Sequence, residues 1–165
     1  MPGRRALIPS LLVGAWLSAC GFRLRGATEL PFSRVALVGF APRSPLAEEL
    51  RRTLAQSAEV VASPAQAQVV LFALADRRER SVVASTTAGQ VRDLTLRVRL
   101  EFKLTTPGGR VLIPPTELLQ SRDMSYTETF ALGKEYEEAQ LMKAMQTDIV
   151  GQLMRRMAHV KDLTG

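Results

Sequence analysis

Apolar residues recur along this chain with two different periods, and the switches between them mark out its elements. Leu94, Leu96, Val98, Leu100, Phe102 and Leu104 alternate with Thr95, Arg97, Arg99, Glu101, Lys103 and Thr105. Period two sustained this long predicts a strand with one dry face and one wet, cationic face. Pro107-Gly108-Gly109 then turns the chain, and Val111 to about Tyr126 is expected to return as its partner. Pro114 and Pro115 remove two ladder donors there, so this strand is interrupted or lies at an edge. Earlier, Val35 to Phe40 is a short apolar run of strand type, and Val69 to Ala75 is another, apolar on both faces and so central in its sheet. The second run continues towards Ala84 through the charged segment Asp76-Arg77-Arg78-Glu79-Arg80, and Ala88-Gly89-Gln90 is a turn signal.

Helical spacing governs two segments. Ser44 is placed as an N-cap before Pro45, with Glu48 and Glu49 near the positive end of the dipole. Leu46, Leu50 and Leu54 recur every four residues and predict a helix to about Gln56. From Lys134 to Ala158, Ala139, Met142, Met145, Ile149, Leu153 and Met157 line one face. Arg155, Arg156 and Lys161 sit at the negative end of that helix. The element order is β-α-β-β-β-α, an α+β fold. The opening βαβ unit makes two strands parallel, and the hairpins add antiparallel ones. Both helices need a dry sheet face, so they are expected to cover one side of a four-stranded, mostly antiparallel mixed sheet.

The front of the chain has a different character. Arg4 and Arg5 precede an uncharged apolar run from Ala6 to Trp16, too short to span a bilayer. Leu17-Ser18-Ala19-Cys20 follows, small residues leading to the chain's only cysteine. Such a segment suits a lipoprotein signal peptidase, with residues 1–19 removed and the Cys20 thiol as acyl acceptor. Gly21, where an aspartate favours retention at the inner membrane, points to the outer one. Residues 20–34, broken by Gly21, Gly26 and Pro31, are read as an extended tethered segment, and 35–165 as a single domain.

Charge and composition narrow the chemistry. The formal charge of +6 becomes +4 once Arg4 and Arg5 leave with the leader, a mildly basic balance suited to phosphates or acidic surfaces. With Cys20 committed to the anchor, no disulfide is available. His159, the sole histidine, lies among cations at a helix end, and its dipole placement explains it better than a role as base. There is no Cys/His metal set, no nucleophile–base pair and no phosphate cradle, so neither an enzyme nor a cofactor is expected. An exported chain with 5% aromatic residues offers few stacking platforms for nucleic acid. Arg97, Arg99 and Lys103 share one strand face at about 7 Å per two residues, a spacing that can engage separate phosphates of a lipid head group. Lys134 adds a cation before an acidic helix start, where the dipole does not favour it. The plain alternative for each is a solvated surface residue.

Several segments together resemble the LPS-assembly lipoprotein family LptE. They are Cys20-Gly21-Phe22-Arg23-Leu24-Arg25-Gly26, the alternating strand Leu94–Leu104, and Ser121-Arg122-Asp123-Met124-Ser125-Tyr126 leading into Ala131-Leu132-Gly133-Lys134-Glu135-Tyr136-Glu137-Glu138. The resemblance covers the mature chain. It implies a lipoprotein on the periplasmic side of the outer membrane, anchored through acylated Cys20. Such a protein plugs the LptD β-barrel, helps it assemble and binds lipopolysaccharide, with Arg97, Arg99, Lys103 and Lys134 as candidate contacts. A structural envelope lipoprotein that binds no head group is the competing expectation.

Overall fold

The computed structural model describes residues 28–161, apart from 86, 88, 90 and 127–130. Cys20, the leader before it and the Cys-Gly-Phe run lie outside the described residues. Five strands and two helices follow in the order β1 (Arg34–Val38), α1 (Pro45–Leu54), β2 (Glu59–Val61), β3 (Val69–Ser85), β4 (Val91–Thr105), β5 (Val111–Ser125) and α2 (Ala131–Ala158), with a single 3₁₀ turn at Pro64–Gln66 before β3. They form one mixed sheet ordered β2-β1-β3-β4-β5. β1 pairs in parallel with both β2 and β3, while β3, β4 and β5 form an antiparallel meander.

The sheet therefore has five strands where the pattern predicted four. β2 was not expected: three residues cannot display a period, and it exists because the edge of β1 is there to receive it. β3 takes the central place foreseen for it, and the reason for its two apolar faces is visible. Val69 and Leu71 join the main core, whereas Val70 packs with Ala36 and Ala67, and with Val38, Val61 and Phe72, on the opposite face. β5 is an edge strand, and its pairing with β4 slips where Pro114 and Pro115 lie.

Both helices cover the same side. Leu94, Leu96, Val98, Leu100, Phe102 and Leu104 are each at most 1% exposed beneath them, and each such side chain stabilises the fold by roughly 1.5–3 kcal/mol. Leu46, Leu50 and Leu54 supply the stripe of α1, capped by the Ser44 hydroxyl, which accepts from Ala47 N. α2 begins at Ala131, a turn before the expected Lys134, and its packed face differs from the predicted one. Ala139 is exposed, while Gln146, Val150 and Met154 join Met145, Ile149, Leu153 and Met157 in burial. Full burial starts at Met145, with Leu141 and Met142 at the margin of the core, so the opening turns of the helix run on beyond it.

A polar link fixes the helices over the sheet. Buried Gln146 on α2 donates to Pro45 O and to the Glu49 carboxylate on α1, and accepts from Arg78 Nη2 on β3. Ser44 Oγ donates to Asp76 on the same strand. Two carboxylates and an arginine that would be costly to bury alone are thus satisfied together. Where β1 ends, Gly39 takes φ +83°, and a Cβ there would stand 2.4 Å from Ala73 O, so only glycine fits.

Candidate functional site

The side of the sheet that the helices leave open carries the residues singled out on β4. Pairing register fixes what surrounds them, since directly opposed residues point to the same face. Ala75, Glu101 and Glu117 form one row across β3, β4 and β5; Arg77, Arg99 and Leu119 form the next. Glu79, Arg97 and Ser121 follow, then Ser81, Thr95 and Asp123.

Arg97, Arg99 and Lys103 do share this face, as the alternation required, but their environments differ. Arg99 is held: its Nε lies 2.6 Å from Glu117 Oε2 and its Nη2 lies 3.5 Å from Glu101 Oε2. Glu117 approaches the shielded Nε off the N–H axis, so this contact is Coulombic more than a well-aligned hydrogen bond. Lys103 Nζ sits 5.1 Å over the Phe72 ring, a cation–π contact that orients it. Arg97 is exposed and has no ion pair among the described residues.

The face as a whole is not the cationic surface that β4 alone suggested. Glu79 from β3 and Glu117 and Asp123 from β5 interleave with the arginines, and Thr95 Oγ1 donates to Asp123. Register between strands is invisible in a single strand's alternation, which is why these acids were missed. The same blindness hid Arg77, which stands beside Arg99 and is exposed with no ion pair among the described residues. Arg77 and Arg97 are diagonal neighbours, about 7–8 Å apart by sheet geometry. They are the two cations that β3 and β4 place on this face without an intramolecular partner among the described residues.

Lys134 is not brought to them. It lies in the first turn of α2, on the helix side of the sheet, with Nζ 2.8 Å from Glu137 Oε2. The acidic start expected for this helix falls a turn later, so Lys134 precedes no acidic first turn. One turn on, Glu138 holds Arg80 of β3 at 3.5 Å, and Arg80 lies 5.8 Å from the Tyr126 ring centroid. His159 Nδ1 lies 2.6 Å from Arg155 O; since a carbonyl only accepts, the ring donates and caps the helix end. Among the described residues no three of His, Cys, Asp and Glu gather as metal ligands, and no helix is long and apolar enough to cross a membrane.

Known structures share this architecture. The solution structure of an uncharacterized lipoprotein B from Nitrosomonas europaea is 28% identical, covers 84% of this chain and 90% of its own, and superposes with a TM-score of 0.70. The rare lipoprotein B from Shewanella oneidensis (24% identity, 76% of this chain, 94% of that one, TM-score 0.62) shares the fold. So does a minor lipoprotein from Acinetobacter baumannii (18%, 78%, 92%, TM-score 0.63). No curated protein matches the sequence. The LptE family, described as lipopolysaccharide-assembly, matches residues 32–157, from the first buried core side chain at Phe32 to the last at Met157. A match that takes in β1 to β5 and both helices is decisive: this chain belongs to the LptE lipopolysaccharide-assembly family.

Proposed function

We propose that this protein is an outer-membrane lipoprotein, acylated on Cys20, that partners the LptD β-barrel as plug and assembly factor and binds lipopolysaccharide without catalysing a reaction. The observation that carries the binding part is the uncovered face of β3–β4–β5. There Arg77 and Arg97 stand side by side, while Arg99 and Lys103 are held in place beside them. Arginine forks at this spacing suit neighbouring phosphates of one lipid head group, and the pre-positioned Arg99 loses little entropy on engagement. Membership of the family and the lipoprotein relatives support the anchor and the assembly role. Two or more acyl chains on Cys20 make attachment stable without a membrane-spanning helix.

Lys134 stays in the proposal as a contact of different standing. It belongs to the helix side, so it and the Arg77–Arg97 pair engage separate parts of a large amphiphile or separate molecules.

One observation favours a second reading, a structural partner of the barrel that holds no head group. Glu79, Glu101, Glu117 and Asp123 nearly cancel the positive charge of the open face. Salt separates the two, because phosphate contacts weaken as ionic strength rises and apolar docking does not. The test measures affinity of the chain for purified lipopolysaccharide at low and moderate salt, alongside co-purification with the LptD barrel. Barrel association with no salt-sensitive lipopolysaccharide binding selects the structural reading; neither activity defeats both.

A further inference from the structure

Topology sends one end of every element to the same pole of this domain. β1, β2 and β3 are parallel and begin there, at Arg34, Glu59 and Val69, while β4 ends there and β5 begins. Both helices run back towards it and end at Leu54 and Ala158. The chain also enters the domain there, at Thr28 to Phe32.

This pole is strongly basic. Among the described residues, Arg34, Arg51, Arg52, Arg155, Arg156 and Lys161 are exposed around it, against the carboxylates of Glu29 and Glu59. The two helix C-termini contribute about half a negative charge each, which accounts for about one cation and leaves the rest in surplus. Arg34 opens a strand, so the dipoles do not explain it at all. Between the last turns of α2 and the start of β5 runs a groove with Leu112, Ile113 and Val160 beneath a rim of Arg156, His159 and Lys161. An apolar floor under a guanidinium and ammonium rim matches a phosphodiester head group with its glycerol backbone.

We infer that this basic pole is a docking surface for an anionic phospholipid bilayer, holding the domain against the leaflet that carries its anchor. The inference rests on the reading that Cys20 is acylated. Cys20 precedes Thr28 by eight residues, a span of at most about 29 Å, so the tether leaves the domain at the pole that carries the charge. Confinement within that distance raises the local concentration of membrane phosphates, and each cation brought within a Debye length multiplies the binding constant about fivefold. The cationic end and the lipid end of the molecule coincide.

The test uses the chain from Cys20 onwards with Cys20→Ser, so that no acyl chain contributes; every buried core residue among the described residues lies at or beyond Phe32 and is retained. Co-sedimentation is measured with phosphatidylcholine vesicles and with vesicles one-third phosphatidylglycerol, at low and moderate salt. Binding is expected only to the anionic vesicles and is expected to weaken with salt. Arg155→Gln/Arg156→Gln/Lys161→Gln is expected to lower it on the order of a hundredfold. Arg43→Gln/Arg92→Gln/Arg122→Gln, with the same charge change far from the pole, is expected to leave it within about twofold. Arg51→Gln/Arg52→Gln provides a second pole variant on the other helix, about twenty-fivefold weaker. Equal losses from pole and control sets mean net charge alone and overturn the proposal, as does equal binding to the neutral vesicles. Loss of lipopolysaccharide affinity in the pole set with phosphatidylglycerol binding intact overturns it too, assigning the pole to lipopolysaccharide. Failure of Cys20 acylation is read separately, by the mass of the membrane-bound chain.

Discussion

Arg77 and Arg99 stand directly opposite each other on β3 and β4, two guanidinium groups on one open sheet face. Like charges so placed oppose folding, and Glu117 and Glu101 attend only Arg99. Arg77→Gln is therefore expected to raise thermal stability slightly, by a few tenths of a kcal/mol, while lowering lipopolysaccharide affinity about tenfold at low salt. Calorimetry beside a binding titration checks both signs. A variant that is destabilised, or that binds as before, removes Arg77 from the site.

Neighbours on β4 are expected to behave in opposite ways. Leu100 is fully buried under the helices, and Leu100→Asp places an unpaired carboxylate in the core at a cost of several kcal/mol, enough to unfold the domain. Arg99→Gln loses an ion pair whose side chains are 39% and 43% exposed, costing at most about 1 kcal/mol. Urea unfolding of the two variants decides between them; similar midpoints would contradict the face assignment.

This contrast shows what was legible in the sequence. Alternation along Leu94–Leu104 fixed the faces of β4 because one strand buried on one side must keep period two. The neighbours of that strand were not legible. Glu117 reaches Arg99 only through the β4–β5 register, which shifts where Pro114 and Pro115 lie. Arg77 sat in a charged run whose phase is reset by the irregularity between Ala73 and Ala75. Lys134 joins the strand cations through its unfavourable place at a helix start and the family resemblance, and only the side on which α2 packs separates them. The burial of Gln146 has no signal in the sequence, because a polar residue on a helix reads as surface until its partners on two other elements are known.

Gln146→Leu is expected to fill the same space yet strip Arg78 of its acceptor and leave the Glu49 carboxylate only the Thr147 hydroxyl, at the junction of α1, α2 and β3. A buried group left unpaired costs about 1–3 kcal/mol, less here because Arg78 reaches solvent and Glu49 keeps one partner. Hydrogen exchange across α1 is expected to rise more than exchange in β4. Uniform loosening would mean that the link has no local role.

Gly39→Ala is expected to cost more than about 2 kcal/mol, since it combines a left-handed backbone with a methyl group pressed on Ala73 O. Gly109→Ala shares the positive φ but meets open space, and its cost is expected to be about 1 kcal/mol. Thermal melts of the pair separate steric contact from backbone strain; equal shifts would show that contact with Ala73 adds nothing.

Cys20→Ala is expected to abolish processing and acylation while leaving the fold intact, because the buried core of the described residues begins at Phe32. Mass spectrometry of membrane fractions reads the outcome, and a cleaved, acylated product would refute the anchor assignment.

The central place of β3 also dictates a timetable. Whatever presents this chain amino end first, Val35 must wait for Val69, and the dry side of β4 must wait for Met145 to Met157. Until that closing helix arrives, Leu46, Leu50 and Leu54 have only part of their cover and the meander exposes a greasy flank prone to sticking. Completion is thus decided at the carboxyl end. A truncation before Met157 is a chaperone client awaiting a lid, and quality control in the cell gains a long interval in which to recognise it.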